Sequence, residues 1–307
     1  MAISLYTQQS KNIWKTWLYM SFFVFLFAGI GFALAFYYQD VNIFYFAIFF
    51  SLLINLFSFW YSDKIALHMA GAREIKKNDY PEFWNVAENL SITAGLPMPK
   101  IYVVNDPIPN AFATGRDKNN AAIAATTGLL STLNKAELEG VVAHELSHIG
   151  NRDILISTIV IIMVSAISFL SQMFFRSRLL GGSRDKDNNG GGFMLILSIV
   201  AIILAPIAAT IIQLAISRKR EFLADASGAL LTRYPEGLAS ALIKISKFNQ
   251  PLTNANNATA HMYIVNPMGF SAEDAKLNDE EKVSWFSKIF MTHPPVNERV
   301  KALLGEK

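Results

Sequence analysis

The chain has 307 residues, of which 52% are hydrophobic and only 17% are charged, and its formal net charge is +3. This composition is more apolar than that of an ordinary soluble domain and is typical of a membrane protein. The small, dispersed positive charge offers no basic patch, so we expect no nucleic-acid partner. The absence of cysteine excludes disulfides and thiolate metal sites, so any zinc must be bound by histidine and carboxylate.

Two apolar runs near the N-terminus predict a transmembrane hairpin over residues 1–62. The first, residues 17–38, is long enough to cross a hydrocarbon core of roughly 30 Å, and its length favours a retained anchor over a cleaved signal peptide. A short turn at residues 39–42 precedes the second run, residues 43–61. By the positive-inside rule both outer flanks are cytoplasmic. Their basic residues are Lys11, Lys15, Lys64, Arg73, Lys76 and Lys77, whereas the turn carries only Asp40.

Residues 63–153 predict the first part of a soluble domain that combines helices with a small β-sheet. Pro81 and Gly95 delimit an amphipathic helix. Three short β-rich runs, residues 100–104, 110–115 and 121–126, predict strands of one sheet. Asn134 and Glu137 form a capping-box pattern, which predicts the start of the next helix.

That helix carries the sequence His144-Glu145-Leu146-Ser147-His148. On an α-helix His144 and His148 lie one turn apart on one face, so their two imidazoles can bind a single metal ion. The pattern is typical of zinc hydrolases, in which the glutamate takes a proton from a water beside the metal and passes it to the leaving amine. Glu145 is therefore the predicted general base.

Residues 154–216 are apolar again and predict a second transmembrane hairpin. Its two runs, residues 154–175 and 193–216, are each long enough to span, and a loop rich in glycine and asparagine at residues 179–192 separates them. Four basic residues would lie on the outer side if this pair crosses the membrane: Arg176, Arg178, Arg184 and Lys186. A helix pair partly embedded in the membrane, or packed on the domain, is therefore an alternative.

Residues 217–307 return to a soluble composition and predict the second part of the same domain, because either part alone is marginal for a hydrophobic core. Hydrolytic zinc normally takes three protein ligands and one water, and Glu221 is the best candidate for the third ligand. Asp225 lies one helical turn further and can accept a hydrogen bond from a ligand imidazole. Alternatively, both acids only compensate the basic residues 218–220.

Two further residues are candidates for contact with the substrate or transition state. His293 precedes Pro294, Pro295 and an amphipathic helix predicted at residues 296–304, and it can donate to the developing oxyanion. Asn110 begins a predicted strand whose free edge can pair with the backbone of an extended substrate. The side-chain amide of Asn110 can also donate to a substrate carbonyl. The alternatives are an ordinary loop histidine and an ordinary edge strand.

Together these motifs resemble the HtpX family of membrane-bound zinc metalloproteases, which are relatives of the CAAX prenyl protease. The matching segments extend over nearly the whole chain: residues 110–115, residues 144–148 with residues 151–153, residues 221–225, and His293-Pro294-Pro295 with Glu298-Arg299. The resemblance implies an integral membrane protein, mainly α-helical with a small β-sheet. It would have a zincin-like catalytic domain and about four transmembrane helices.

The resemblance also implies an endopeptidase of the bacterial cytoplasmic (inner) membrane that is linked to the stress response. Such an enzyme cuts damaged or misfolded membrane proteins with a catalytic domain that faces the cytoplasm. It implies one Zn²⁺ per chain, bound by His144, His148 and Glu221, with Glu145 as catalytic acid and base.

Two alternative functions are a non-catalytic membrane scaffold or chaperone with a structural metal, and a prenyl-protein endopeptidase. The latter would need more membrane spans than this sequence predicts. A metal transporter is disfavoured because the spans carry almost no ionisable residues.

Overall fold

The computed structural model describes residues 5–160, 163, 165–167, 218–248, 250–254, 259–267 and 294–305. Within them the helices are α1 (Leu5–Tyr38), α2 (Asn42–Met69), α3 (Pro81–Ala94), α4 (Thr127–Thr132), α5 (Lys135–Gly150), α6 (Asp153–Ile167), α7 (Arg218–Thr232), α8 (Pro235–Ser246) and α9 (Val296–Leu304). The strands are β1 (Ala72–Glu74), β2 (Lys100–Val104), β3 (Ala111–Asp117) and β4 (Asn120–Thr126). Most of the predicted second hairpin, its loop at residues 179–192, and His293 lie outside the described residues.

Helices α1 and α2 form the predicted hairpin. Both are long and apolar enough to cross a membrane, with mean hydropathies of 2.1 over Asn12–Tyr38 and 2.0 over Asn42–Met69. The turn lies where the sequence predicts it, and the backbone N–H of Asn42 donates to Asp40 Oδ1 at 2.9 Å. Helix α2 continues beyond the predicted apolar run because Ala66 and Leu67 pack into the domain core. Only two residues, Ala70 and Gly71, separate α2 from β1.

The predicted total of about four spans stays a prediction. The described residues contain two helices that could cross a membrane, and a third only if α5 and α6, which meet at 85°, form one broken span. Helix α6 begins where the second apolar region was predicted to begin. Its inward residues Ile156, Ile159 and Val160 are buried against the core beneath the sheet.

The four strands form one sheet in the order β1-β2-β4-β3. Strand β2 pairs in parallel with β4, whereas the β1–β2 and β3–β4 pairs are antiparallel. The strands predicted at residues 100–104, 110–115 and 121–126 are confirmed to within two residues at each end. Strand β1 has only three residues and was not predicted, because so short a segment carries no periodic pattern. Strand β3 lies at the edge of the sheet.

The sheet separates two hydrophobic layers. Alternate residues of β4 point to opposite faces, as a strand period of two requires. Ala121, Ile123 and Ala125 pack with α3 and α5 on one face. Ala122 and Ala124 pack with α1, the end of α2 and α6 on the other. The sheet therefore connects the helix of the metal motif to the membrane hairpin.

Helix α5 is the central helix of the domain that follows the hairpin. The predicted capping box begins it: Asn134 Oδ1 accepts from the Glu137 N–H at 3.0 Å, and Glu137 Oε2 accepts from the Asn134 N–H at 2.9 Å. Helices α7 and α8, from the second soluble part, pack on α5. A Cβ added at Gly228 of α7 would lie 3.0 Å from the backbone nitrogen of His144, so glycine permits the close approach of α7 to α5. The domain boundaries at residues 62, 153 and 216 remain predictions.

Candidate metal centre and active site

His144 and His148 lie on one face of α5, as the sequence predicts. Their Nε2 atoms are 3.1 Å apart, and the two rings are nearly perpendicular, with an interplanar angle of 89°. His144 is fully buried, whereas the side chain of His148 is 15% exposed at the wall of a pocket. Two imidazole nitrogens therefore converge on one point at the bottom of this pocket.

Glu221, in the first turn of α7, brings a carboxylate to the same point. Its Oε2 lies 3.8 Å from His144 Nε2, and its Oε1 lies 3.6 Å from His148 Nε2. Ligand atoms bound about 2.0–2.1 Å from a tetrahedral zinc ion lie roughly 3.3 Å from one another. The two nitrogens and the Glu221 carboxylate thus fit zinc in chemistry, and their ligand atoms lie within 4.8 Å of one another. Among the described residues these three form the one group of this kind.

Asp225 and Arg299 support His144 at its Nδ1 atom, and Arg299 Nη1 also lies 3.8 Å from Glu221 Oε2. Asp225 Oδ1 lies 2.9 Å from His144 Nδ1, so the Nδ1–H can donate to it and leave Nε2 free for a metal. Arg299 donates to both carboxylate oxygens, from Nε at 2.8 Å and from Nη2 at 2.7 Å. Burial raises the pKa of Asp225, but the guanidinium of Arg299 outweighs this and lowers that pKa to about 2. Burial also lowers the pKa of His144, which favours the neutral, metal-binding form.

Asp153 supports His148 in a similar way. Its Oδ2 lies 3.2 Å from His148 Nδ1. Burial lowers the pKa of His148, but the nearby carboxylates of Asp153 and Glu221 outweigh this effect and raise it to about 9. In the metal-free protein His148 is therefore mainly protonated at neutral pH, and a bound metal ion must displace that proton.

Glu145 lies next to the histidine pair and is only 2% exposed. Burial raises its pKa to about 7, although His148 and a hydrogen bond from the backbone N–H of Ala113 act in the opposite direction. The hydrogen bond from β3 orients the carboxylate within the pocket that also contains His144, His148 and Glu221. A carboxyl group with a pKa near neutrality can accept a proton and release it again at working pH.

Asn110 lies immediately before β3 and is 2% exposed. Its Nδ2 donates to the Val265 carbonyl at 2.8 Å, and its Oδ1 lies 3.1 Å from the backbone N–H of Ala111. Ile264 N–H donates to the Ala111 carbonyl at 2.9 Å, so residues 259–267 lie along the outer edge of β3. Asn110 thus holds this segment and does not line the metal pocket. Its predicted contact with a substrate carbonyl would require the bond to Val265 to break.

His293 lies outside the described residues, so its predicted role as an oxyanion donor stays a prediction. The helix expected after it is present as α9, with the predicted bounds Val296–Leu304. Of the predicted site residues that the structure describes, four lie together at the pocket: His144, Glu145, His148 and Glu221. Asp225 lies directly behind His144, and Asn110 supports the neighbouring segment.

Arg299 and Asp153 have no role predicted from the sequence, although both contribute to the site. Arg299 is completely buried, and it lies on the apolar face of α9 together with Val296, Val300 and Leu303. A charged residue at a buried position of an amphipathic helix is a usable signal, because such a charge needs a partner. Asp153 follows the metal motif by one turn and a half, but its pairing with His148 depends on the bend between α5 and α6.

A histidine pair on one helix, completed by a carboxylate from a second helix, is how many peptidases hold the metal that activates water. Here that arrangement belongs to a chain with membrane-spanning helices, and the molecule is a membrane metallopeptidase. Comparison with known proteins gives its family. The chain belongs to peptidase family M48, whose sequence profile matches residues 79–307.

Similar proteins include the Protease HtpX homolog of Tropheryma whipplei (strain Twist), which is 44% identical over 97% of each chain. The Protease HtpX homolog of Pyrococcus furiosus is 45% identical over 95% of each chain. That of Caldanaerobacter subterraneus subsp. tengcongensis is 43% identical over 98% of this chain and 97% of its own. The predicted HtpX-like family is thereby confirmed.

The fold is also similar to that in the crystal structure of S. mikatae Ste24p. The TM-score is 0.52 and the sequence identity 17%, over 98% of this chain and 67% of the other. At this identity the likeness concerns the fold alone. It agrees with the predicted mainly helical membrane protein with a small sheet.

Proposed function

We propose that the chain is a zinc-dependent endopeptidase of the bacterial cytoplasmic membrane that cuts misfolded or damaged membrane proteins on the cytoplasmic side. The observation that carries this proposal is the meeting of His144, His148 and Glu221, whose ligand atoms lie within 4.8 Å of one another, beside the buried Glu145. Arranged in this way, three ligands leave a fourth tetrahedral position for water or substrate. We assign one Zn²⁺ per chain to this site.

The three ligands and Glu145 divide the chemistry between them. Zinc bound here would polarise a peptide carbonyl and lower the pKa of a water molecule. Glu145, as a carboxylate, accepts a proton from the attacking water while the water oxygen forms a bond to the carbonyl carbon. Glu145 then returns this proton to the amide nitrogen as the peptide C–N bond breaks. Burial raises its pKa to about 7 in the metal-free protein, and a zinc ion bound nearby would favour the carboxylate form that accepts the proton.

The position of β3 supports an extended polypeptide as substrate. Residues 259–267 cover the outer edge of β3 at Ala111 and Phe112. Ala113, which follows them, lines the metal pocket and donates the hydrogen bond that orients Glu145, so a substrate would pair with the strand at Ala113. A substrate that pairs with a strand edge is bound through its backbone, so the choice of sequence is broad. Such binding requires an unfolded stretch of chain, which damaged proteins offer and native domains do not.

Charged and aromatic residues support the cytoplasmic orientation. Basic residues flank both outer ends of the hairpin, whereas Asp40 is the one charged residue in the turn between the helices. At the end of α2 nearest the domain, the guanidinium of Arg116 lies 4.4 Å from the ring centre of Trp60, and Lys64 Nζ lies 5.4 Å from that of Tyr61. Aromatic side chains paired with cations are typical of the membrane–water interface.

The test compares wild type with Glu145→Gln and Glu139→Gln, each purified in detergent and supplied with unfolded casein. Glu139 lies on the same helix, but outside the pocket, so it provides a matched control. We expect wild type and Glu139→Gln to cleave casein, and Glu145→Gln to be slower by about a hundredfold or more. All three should bind about one zinc per chain, measured by elemental analysis.

The alternative of a non-catalytic scaffold or chaperone gives a different result. In that case all three proteins hold zinc and none of them cuts casein. Equal cleavage by wild type and Glu145→Gln would instead remove Glu145 from the mechanism. Absence of zinc from a folded wild-type protein saturated with the metal would contradict the assigned ligands.

A further inference from the structure

One polar residue of the membrane hairpin reaches the metal centre. The buried stripe of α1 contains the apolar residues Tyr19, Phe23 and Phe27, which pack in the same cluster as α6. Towards the N-terminus the same stripe continues with two polar residues, Asn12 and Thr16, which are 3% and 2% exposed. Buried polar groups on an otherwise apolar stripe need partners. The partner of Asn12 lies 141 residues away in the sequence.

Asn12 binds the segment that joins α5 to α6. Its Nδ2 donates to Asp153 Oδ1 at 2.6 Å and to the Asn151 carbonyl at 3.0 Å. Thr16 Oγ1 donates to the carbonyl of Asn12 at 2.9 Å, one helical turn away. The Thr16 bond is to the main chain of Asn12, so the side-chain amide itself is held at the bend between α5 and α6.

The two oxygens of Asp153 serve different partners. Oδ1 accepts from Asn12, whereas Oδ2 lies 3.2 Å from Nδ1 of His148. Arg220 Nε lies 3.8 Å from Oδ1. A carboxylate that accepts from a ligand imidazole fixes the tautomer and the orientation of that ring, and it does so well only if it is itself held in place. Asn12 provides the shortest hydrogen bond to this carboxylate.

We infer that Asn12 is a positioning residue for His148, acting through Asp153, and that contact with the membrane helix α1 completes the metal centre. The inference rests on the proposed zinc site. According to this inference, the two histidines are oriented by different parts of the chain. His144 is oriented by Asp225 and Arg299, which both belong to the soluble domain. His148 is oriented by Asp153, whose shortest hydrogen bond comes from the hairpin.

The experiment uses the full chain in detergent and compares wild type with Asn12→Ala, Asn12→Asp, Asp153→Asn and Asn55→Ala. Asn55 is the matched control: it is a buried asparagine of the same hairpin, and it donates to the Met20 carbonyl at 3.2 Å. The readouts are the zinc dissociation constant, from competition with a chelating dye, and the visible spectrum of the Co²⁺-substituted protein. Melting temperatures show that each variant is folded.

We expect Asp153→Asn to weaken zinc binding about 10- to 100-fold, as removal of such a carboxylate commonly does. Asn12→Ala should weaken it about three- to tenfold, because it removes a hydrogen bond to a charged group. Asn12→Asp should weaken it more, because it places a second negative charge against Asp153. In both Asn12 variants the Co²⁺ spectrum should shift. In Asn55→Ala both readouts should equal those of wild type, even if the melting temperature falls.

The double variant of Asn12→Ala and Asp153→Asn tests whether Asn12 affects zinc affinity through Asp153. If Asn12 acts through Asp153, Asn12→Ala adds no further loss of zinc affinity in the Asp153→Asn background. Equal zinc affinity and equal spectra in Asn12→Ala, Asn55→Ala and wild type would overturn the inference, while the proposed function would stand. A wild-type protein that binds no zinc would instead overturn the proposed function. Should Asn12→Asp fail to fold, Asn12→Ala alone decides between these outcomes.

Discussion

The α1–α2 hairpin and the catalytic domain both bury polar side chains, but they satisfy them differently. In the hairpin the buried polar groups are neutral. Apart from Asn12, which donates to Asp153, those with a described hydrogen bond donate to carbonyls of the hairpin itself, as Ser58 Oγ does to Ile54 at 2.7 Å. In the domain the buried polar groups around His144 are charged and paired with one another. Outer surfaces differ as well: Phe25 at the middle of α1 is 76% exposed, whereas Phe83 of α3 is 2% exposed.

This difference indicates the solvent of each region. Helices in lipid gain nothing by turning apolar groups inward, so small and polar residues pack between them and large apolar residues face outward. A domain in water does the opposite, and it tolerates buried charges only as pairs. The domain concentrates those charges where a positive metal ion is to be held. Four changes test this contrast, and the largest effect is expected at Arg299.

Replacing Arg299 by alanine should destabilise the domain by about 3–5 kcal/mol, because the carboxylate of Asp225 remains buried without its partner. Zinc affinity should fall as well, since Asp225 orients His144. Arg299→Lys should not restore stability, because an ammonium group cannot bind both carboxylate oxygens and the Ile264 carbonyl together. Thermal unfolding and zinc titration measure the two effects.

A matched control is Lys244→Ala, which removes an ion pair of 2.8 Å from Glu137 whose lysine is 39% exposed. The loss there should be about 1 kcal/mol, because solvent screens that pair. Equal losses of unfolding free energy in Arg299→Ala and Lys244→Ala would contradict the expectation that a buried ion pair matters more than an exposed one.

Replacing Phe25 by arginine should destabilise the protein in lipid nanodiscs by about 3 kcal/mol, because it brings a charge to the centre of a span. Ile92 of α3 is 74% exposed and provides the control, since Ile92→Arg should change stability by less than about 0.5 kcal/mol. Melting temperatures in nanodiscs give the comparison. If Phe25→Arg and Ile92→Arg both change the melting temperature only slightly, the outer face of α1 lies in water.

Replacing Glu145 by glutamine should stabilise the metal-free protein at pH 8. Burial raises the pKa of Glu145 to about 7 in the folded protein, so the fold binds this proton more tightly than the unfolded chain does. Its contribution to stability therefore falls as the pH rises from about 4.5 to 7 and stays low above that range. The variant should lack this loss of stability, which amounts to about 3 kcal/mol.

The measurement is the difference in melting temperature between wild type and Glu145→Gln, without metal, from pH 4 to 8. The difference should be small at pH 4 and grow towards pH 7, with Glu139→Gln following wild type throughout. A difference that is independent of pH would show that the carboxyl group is not desolvated in solution.

The smallest effect is expected within the hairpin. Ser58 is fully buried, but its hydroxyl donates only to its own helix. Ser58→Ala keeps the close contact between the helices and leaves the Ile54 carbonyl bonded within the helix, so stability should change by less than about 0.5 kcal/mol. A loss above 2 kcal/mol in nanodiscs would show that buried polar groups of the hairpin matter as much as those of the domain.

Local signals explain what could be predicted from the sequence. The ends of β2, the capping box at Asn134 and the end of α1 at Tyr38 each follow from neighbouring residues, and the metal motif follows from helical spacing. The pair of Asp225 and Arg299 joins residues 74 apart, and no local pattern indicates their contact. The sequence predicted a free outer edge for β3, whereas in the structure residues 259–267 lie along it. That contact depends on tertiary packing, which no local pattern indicates. Helix α4, with six residues, is too short for a periodic signal.

The short connection between α2 and β1 has a consequence for how the enzyme finds its targets. Ala66, Leu67 and Ala70 at the end of α2 are buried in the domain core, so the helix and the domain share one packed interior without a flexible tether. A peptidase on a long linker could sweep a wide volume above the bilayer. With the proposed function, this packing would keep the active site at a fixed height above the bilayer, and we expect a target to be cut only if it extends an unfolded segment to that height.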